Sequence, residues 1–212
     1  MAGKIFSLGL LSIGLFILMQ IVLPLLSYKL WEIKNIAPET LLVSPQTNQS
    51  VLGISIQNSD NFPSFISNLK RETVAPYSTF TISIPKLNIK SANVLVDTNN
   101  LSEYLSHLPG SALPGERGNV FISGHSALPV VFEGEKNYGA IFANLTELKK
   151  GDTIVVSAGG QFTYQVVGMR VVEPNDLSVI PPPDSEGRYL SLMTCVPPGL
   201  NTKRLVVLGR LI

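Results

Sequence analysis

Hydrophobic and polar positions follow three different patterns along the 212-residue chain, and each pattern predicts a different kind of structure. Residues 5–27 form an uncharged, mostly apolar run of 23 residues. Residues 35–77 are more polar and show little periodicity, whereas residues 78–212 alternate apolar and polar side chains in short segments. We therefore expect a membrane anchor with its flanks at 1–34, a flexible stalk at 35–77 and a folded domain at 78–212.

The apolar run is long enough to cross a bilayer as a helix, which takes about 20 apolar residues. A cleaved signal peptide is the main alternative, but residues 25–31 contain no Ala-x-Ala-like cleavage pattern. Tyr28 and Trp31 fit an interfacial aromatic belt at the end of the run. No second apolar segment of this length follows, so we expect a single membrane crossing.

The predicted stalk carries few charges, with only Glu39 and Asp60 between residues 35 and 69, and it is rich in Asn, Ser, Gln, Thr and Pro. Such a composition is typical of a flexible or extended spacer. A short alternation at residues 51–56 keeps open the alternative of a small, poorly packed subdomain.

Residues 78–212 show the period-two alternation of short strands, broken by Gly, Pro, Asn and Asp. The segments that carry it are Phe80–Ile84, Val94–Val96, Val120–Ile122, Thr153–Val156, Phe162–Val172, Leu190–Leu192 and Leu205–Leu208. The pattern favours an all-β barrel or sandwich. Phe142, Leu145 and Leu148 are three residues apart, which predicts one helix of about two turns from Phe142 to Lys150.

Composition excludes several classes of function. The formal net charge is +1 and the Lys and Arg residues are scattered, so nucleic acid is not an expected partner. Two histidines and one cysteine are too few for a His/Cys zinc site, and no glycine-rich phosphate loop is present. We therefore expect no metal site and no cofactor, and the sequence does not address a calcium requirement.

The single cysteine, Cys195, ends the apolar run 190–195 and is the main candidate for chemistry. A chain with one cysteine cannot form an internal disulfide, and a free thiol on an exported domain is a liability unless it has a use. A thiol attacks as the thiolate and needs a base or a cation beside it. His125, at the end of the predicted strand 119–124, could be that base, and Arg204 could donate hydrogen bonds to an oxyanion.

Each of these three residues also has a simpler interpretation. A lone buried cysteine is usually an inert apolar residue, a lone histidine is usually a hydrogen-bonded one, and Arg204 alone would be a solvated charge. Strand alternation argues against the first interpretation, because Leu190 and Leu192 face one side of their strand and Cys195 faces the other.

Together with their flanks, these residues resemble the sortase family, the membrane-anchored cysteine transpeptidases of bacterial surfaces. The resemblance runs from about Phe80 to Ile212 and rests on several blocks in the family's order. These blocks are Ile82–Leu87, Leu113–His125, Phe142–Leu145, Gly151–Ile154, Leu192–Cys195 with its Thr-Cys pair, and Arg204. Ordered blocks at this spacing are more specific than any one of them alone.

The resemblance implies a closed or nearly closed β-barrel with short helices, preceded by one transmembrane helix. It implies that His125, Cys195 and Arg204 are catalytic and that Thr194 shapes the substrate groove. The enzyme would cleave a Leu-Pro-x-Thr-Gly-like sorting signal through a thioacyl-enzyme and transfer the protein to an amine. Its partners would be secreted proteins with a C-terminal sorting signal and an amine acceptor, either a cell-wall precursor or a pilin lysine.

The expected location is the cell membrane, with the amino terminus in the cytoplasm and the catalytic domain outside. Lysines flank the apolar run on both sides, at Lys4 and at Lys29 and Lys34, so the positive-inside rule does not decide the orientation. The expectation of an outside domain therefore rests on the polar stalk and on the predicted chemistry.

The second histidine, His107, lies outside the Gly-Asn-Val-Phe-Ile-Ser-Gly-His block, so the resemblance assigns the base to His125 instead. No carboxylate stands out as a group that orients His125, because Glu133 and Glu135 are expected in an exposed loop. The resemblance does not require a fixed third acid.

Cell-wall anchoring is favoured over pilus assembly, because pilus-building sortases commonly carry an Asp-Pro-aromatic lid motif and a second, C-terminal membrane helix. The sequence has neither feature, and Phe62-Pro63 lacks the aspartate. Three alternatives stay open: a pilin-polymerising sortase, a thiol hydrolase that releases peptide to water, and a non-catalytic surface domain that binds peptide.

Overall fold

The computed structural model describes residues 2–35, 54–59, 62–69, 74–128 and 137–212. The chain divides into two compact units, Met1–Ala37 and Pro38–Ile212. Within the described residues, the first unit contains one long helix and the second contains ten strands in two sheets.

The amino-terminal helix, α1, spans Ala2–Asn35. Within it, Gly9–Lys34 is a 26-residue span that is long and apolar enough to cross a membrane, with a mean hydropathy of 2.3. Large apolar side chains such as Leu11 and Phe16 are exposed, as a helix that faces lipid requires. The prediction of one apolar amino-terminal helix that could span a membrane is confirmed.

Eight strands of the second unit close into a barrel, in the order β10-β8-β7-β3-β4-β5-β6-β9. Their bounds are Thr79–Ile84 (β3), Ile89–Leu95 (β4), Leu105–His107 (β5), Gly118–Ser123 (β6), Thr153–Ser157 (β7), Gln161–Val172 (β8), Arg188–Val196 (β9) and Lys203–Leu211 (β10). Neighbouring strands are antiparallel except for β4 with β5 and β6 with β9, which are parallel. The predicted all-β closed barrel is confirmed.

The strands differ in how many of their faces are buried. In β3, Phe80, Ile82 and Ile84 are buried and alternate with more exposed residues, so one face meets the core. In β9, by contrast, every residue after Arg188 is buried. A strand buried on both faces needs a cover over its outer side, because the barrel interior accounts for only one face.

A two-stranded antiparallel hairpin supplies part of that cover. Its strands are β1, Ile54–Ser59, and β2, Phe62–Ser67. Phe65 of β2 is buried in a cluster with Phe121, Met193 and Val206, and its ring centroid lies 6.0 Å from that of Phe121. The hairpin thus packs against the outer face of β6, β9 and β10.

The hairpin falls inside the segment that the sequence predicts to be a flexible stalk. The spacer interpretation does not describe residues 54–59 and 62–67, which form paired strands with a buried aromatic side chain, and the alternative of a packed element fits them better. Residues 36–53, 60–61 and 70–73 of the predicted stalk lie outside the described residues. The division into anchor, stalk and domain otherwise stays a prediction.

The helix predicted from Phe142 to Lys150 is a run of turns that ends in a single 3-10 turn, Leu145–Glu147, and is not an α-helix of two turns. Phe142, Leu145 and Leu148 are all buried. A 3-10 helix has three residues per turn, so side chains three apart fall on one face and reproduce the same spacing. Two further 3-10 turns, Pro85–Leu87 and Leu177–Val179, connect strands.

Candidate active site

Cys195 and Arg204 are direct cross-strand partners. Antiparallel β9 and β10 are joined by residues 197–202, and their register sets Arg204 opposite Cys195. Directly opposed residues project to the same face of a sheet with Cβ atoms about 5 Å apart. On its other side, Arg204 is opposite Val172 of β8. The sequence places eight residues between Cys195 and Arg204, and the fold makes the two residues neighbours.

The thiol lies on the outer face of the barrel wall, the face that carries Met193 and Val206. These two residues are opposed in the same register, two positions before Cys195 along β9, and both belong to the cluster that packs against the hairpin. Cys195 itself is 4% exposed. The candidate nucleophile therefore lies just beyond the edge of an apolar, hairpin-covered patch.

His125 follows β6, and hydrogen bonds hold its two neighbours to the strand that carries the thiol. The Gly124 N–H donates to the Met193 carbonyl at 3.0 Å, and the Ser126 hydroxyl donates to the Cys195 carbonyl at 2.5 Å. Parallel β6 and β9 keep a constant register from Gly118 to Ser123. The same register, continued two residues past β6, brings His125 level with Cys195.

Burial makes the neutral forms of both candidate reacting groups dominant. Desolvation raises the pKa of the Cys195 thiol to about 11, against the opposing charge of Arg204, which lowers it. Desolvation also lowers the pKa of His125, and a hydrogen bond with the Leu101 backbone acts in the opposite direction. Near neutral pH, a thiol beside an uncharged imidazole is therefore the main state.

Arg204 is fully buried, and burial lowers the pKa of its guanidinium while the charge of the nearby thiolate raises it. Its Nη1 donates to the backbone carbonyls of Asn201 and Lys203, at 3.1 and 3.0 Å. These two bonds fix the planar group at the start of β10. A guanidinium held in this way can present its other N–H groups to a developing negative charge without first being reoriented.

Thr194, the predicted substrate-groove residue, is 1% exposed, and its hydroxyl donates to the Gly124 carbonyl at 2.8 Å. This bond ties β9 to the residue before His125. The contact indicates that Thr194 positions the His125 segment, and its burial does not favour direct contact with a peptide, so the substrate-binding role stays a prediction.

His107 is completely enclosed in β5 and is separate from these groups. Its Nδ1 accepts a hydrogen bond from the Asp97 N–H at 3.2 Å, and its Nε2 lies 2.9 Å from the Ala112 carbonyl. This environment agrees with the choice of His125 as the candidate base. Glu133 and Glu135 lie outside the described residues.

Two groups that hold the site together could not be predicted from the side chains in the sequence. The group that contacts the His125 imidazole is the backbone of Leu101, and the Ser126 hydroxyl acts on a backbone carbonyl. Only the position of Ser126, directly after the histidine, could have drawn attention to it. Among the described residues, no group of three or more His, Cys, Asp and Glu side chains could hold a metal ion.

The eight-stranded closed barrel is the architecture of sortases, and the comparisons with known proteins agree. The sortase domain family matches residues 82–212. The chain belongs to the sortase family of transpeptidases.

Two sequence relatives show the extent of the match. Sortase D of Bacillus subtilis is 30% identical over 134 residues, which cover 61% of both chains. Sortase A of Bacillus anthracis is 28% identical over 136 residues, which cover 61% of this chain and 60% of the relative. The chain thus spans about three fifths of the length of these curated relatives.

Solved structures give the same fold. A lid mutant of sortase A from Corynebacterium diphtheriae superposes with a TM-score of 0.55 at 29% identity, covering 66% of this chain and 73% of that one. Sortase C-1 from Actinomyces oris superposes with a TM-score of 0.54 at 29% identity, covering 65% and 74%. Both superpositions cover about two thirds of this chain.

Proposed function

We propose that the protein is a cysteine transpeptidase that cleaves a Leu-Pro-x-Thr-Gly-like sorting signal and transfers the attached protein to an amine. The observation that carries the proposal is the direct pairing of Cys195 with Arg204, next to a His125 segment hydrogen-bonded to the same strand. A nucleophile, an oxyanion donor and a base within one strand-end cluster are the parts that acyl transfer requires.

In the acylation step, the Cys195 thiolate attacks the carbonyl carbon of the threonine in the signal. A carbon–sulfur bond forms, and the carbonyl oxygen takes up negative charge that Arg204 stabilises through N–H donors. The carbon–nitrogen bond to glycine then breaks, and the His125 imidazolium gives its proton to the departing amine. The products are a thioacyl-enzyme, a neutral imidazole and a free amino terminus.

In the second step, an amine attacks the thioacyl carbon, and neutral His125 takes the proton that the amine loses. The carbon–sulfur bond breaks and the thiolate leaves, so the enzyme returns to its starting protonation state. If water attacked instead, the same residues would produce hydrolysis. The thiol hydrolase alternative therefore differs from transpeptidation only in the acceptor.

The buried thiol makes the reactive protonation state a minor one. With a pKa of about 11, the thiolate amounts to about one molecule in 10⁴ at pH 7. Arg204 and a protonated His125 both favour the thiolate, and a substrate that excludes water strengthens these interactions. We infer that peptide binding is needed to make the thiolate-imidazolium pair accessible.

The apolar helix suits an enzyme that works at the membrane surface, with the amino terminus in the cytoplasm and the barrel outside. Secreted substrates leave the membrane at that surface, so anchoring keeps enzyme and substrate close. Cell-wall anchoring is the favoured outcome, with a cell-wall precursor as the amine. Pilin polymerisation is the second candidate, supported by the structural likeness to sortase C of Streptococcus pneumoniae, whose structure bears on pilin substrate specificity.

The full chain in detergent micelles, incubated with a sorting peptide and an amine, tests the proposal. We expect mass spectrometry to detect the acyl group on Cys195 and the peptide joined to the amine, and we expect Cys195→Ala to produce neither. Peptide release that is unchanged by the amine would favour the hydrolase. Wild-type product formation by Cys195→Ala would refute the assignment of the nucleophile.

A further inference from the structure

The imidazole of His125 has a hydrogen-bonding partner in the connection between β4 and β5. This connection covers residues 96–104, and the backbone of Leu101 within it bonds to the His125 side chain. An imidazole that exchanges protons must be held in one orientation, and a carboxylate usually does this in a catalytic triad. Here a main-chain group occupies that position, so the conformation of the connection decides where the imidazole points.

The first half of the connection is fixed to β5. The Asp97 N–H donates to Nδ1 of buried His107 at 3.2 Å, and the Thr98 N–H donates to the His107 carbonyl at 3.1 Å. The Ser106 hydroxyl donates to the Thr98 carbonyl at 2.5 Å. His107, which takes no part in the proposed chemistry, thus fixes the start of the segment that reaches His125.

The residues on both sides of Leu101 are also held by side chains. Asn100 accepts hydrogen bonds from the N–H and the hydroxyl of Ser102, at 2.9 and 2.7 Å, and its own N–H donates to the Thr98 hydroxyl at 3.0 Å. The Leu101 side chain is 7% exposed. These local bonds set the backbone direction at Leu101.

Asn99 connects this segment to the amino-terminal hairpin. Its Oδ1 accepts from the Ser67 N–H at 3.1 Å, and its Nδ2 donates to the Ser67 carbonyl at 3.2 Å. One carboxamide thereby satisfies both main-chain groups of the last residue of β2. The hairpin is itself packed on the barrel through Phe65, so Asn99 is tied to a fixed structure.

We propose that Asn99 is a positioning residue for His125: its two-point contact with Ser67 fixes the 96–104 connection so that the Leu101 backbone orients the imidazole. The inference rests on the proposed role of His125 and adds the element that holds it. It also assigns a purpose to the hairpin, which carries one side of the contact. The ionisable side chains on the surrounding elements are Cys195 on β9, Arg204 on β10, His107 on β5, and Asp97, Glu103 and Tyr104 on the same connection.

The direct readout is the protonation of His125, followed by NMR on the full chain in micelles. The chain contains two histidines, so two imidazole signals are expected, and His125→Gln identifies one of them. We expect Asn99→Ala to move the His125 titration midpoint to lower pH, because a misplaced Leu101 backbone no longer favours the protonated ring. A loss of stability alone would not move this midpoint.

The kinetic readout separates positioning from peptide binding. We expect Asn99→Ala to lower kcat about 10-fold, a fraction of what general acid–base catalysis contributes, with KM for the sorting peptide changed less than about 2-fold. Asn99→Gln keeps the carboxamide and should retain more activity than Asn99→Ala. Asn100→Ala, at an exposed position, should lower kcat in the same direction even if Asn99→Ala folds poorly.

Asp152→Ala is the matched control. It removes a side-chain bond to the Lys149 N–H in a turn before β7, a strand whose barrel neighbours are β3 and β8. We expect it to keep wild-type kcat and His125 titration. An unchanged or raised His125 midpoint, with wild-type kcat in Asn99→Ala and Asn100→Ala, would overturn the inference.

His125→Gln separates this inference from the proposed function. If His125→Gln is inactive while both asparagine variants behave as wild type, only the positioning role of Asn99 fails. If His125→Gln keeps wild-type activity, the proposed base itself is wrong, and the inference fails with it.

Discussion

Arg204 should control how readily the Cys195 thiol ionises, and its replacement is the sharpest test of the site. Arg204→Met removes the positive charge and keeps much of the volume, whereas Arg204→Lys keeps a charge on a different stem. The charge of Arg204 opposes the burial that raises the thiol pKa to about 11. Without it, we expect the pKa of the thiol to rise further.

An upper estimate of the effect takes the Cβ spacing of directly opposed residues, about 5 Å, as the separation of the two charges. Two unit charges about 5 Å apart interact by about 3 kcal/mol at an effective dielectric constant of about 20. That energy corresponds to about a 100-fold change in the thiolate fraction at a given pH. Arg204→Lys should lower the thiolate fraction less, because an ammonium keeps the positive charge but lacks the planar set of N–H donors that holds the guanidinium in place.

Alkylation by iodoacetamide between pH 6 and pH 10 measures this ionisation, and mass spectrometry follows the reaction. The chain has one cysteine, so no other thiol contributes. In the wild type the rate should rise about 10-fold per pH unit without levelling off. In Arg204→Met it should be about 100-fold slower at each pH, with circular dichroism confirming that the variant is folded.

Two results would refute this reasoning. A wild-type rate that levels off near neutral pH would mean that the thiol is already ionised and that burial does not dominate its pKa. A folded Arg204→Met variant with the wild-type pH dependence and rate would mean that the guanidinium does not act on the sulfur. In that case Arg204 would have no electrostatic part in activating the nucleophile.

Three further predictions concern the pH dependence and the supports of the site. The kcat/KM value should rise as the pH increases through the pKa of His125, which burial holds below its ordinary value, and should fall again only near pH 11, where the Cys195 thiol ionises. Between these two pKa values the thiol and the imidazole share one proton. A fall in kcat/KM near pH 8 would contradict this prediction. Thr194→Val loses the hydrogen bond to the Gly124 carbonyl and should lower the free energy of unfolding by about 1–2 kcal/mol in urea titrations. An unchanged unfolding midpoint would refute the role of Thr194 in holding the His125 segment. Gly124→Ala places a Cβ 2.5 Å from the Phe142 ring, so it should lower the free energy of unfolding by about 1–3 kcal/mol in the same assay and should also lower kcat. Full activity would show that the His125 segment tolerates displacement.

The barrel and its main candidates could be predicted from the sequence because both leave periodic side-chain patterns. Alternating burial in strands such as β3 reproduces the predicted period of two. The opposition of Cys195 and Arg204 needs the register of β9 and β10, which alternation alone does not fix. The resemblance to known sortase blocks supplied that missing information.

The hairpin and the partner of His125 were missed for different physical reasons. In β1 and β2 each strand is only six residues long, and their burial depends on Phe65 meeting residues far along the chain. The partner of His125 is a main-chain group of Leu101, and every residue type offers the same carbonyl. The group that bonds to His125 therefore leaves no side-chain signature in the sequence.

The parallel pairing of β6 with β9 limits where the chain can vary near the candidate site. Because these two strands run in the same direction, the chain leaves both at one rim, where the ordered strand ends hold the sulfur and the imidazole at a fixed spacing. Residues 197–202 are bonded to this rim, because the Gly199 N–H donates to the Ser126 carbonyl and the Asn201 carbonyl accepts from Arg204. An insertion in this connection would therefore have to keep both bonds to leave the candidate reacting groups in place.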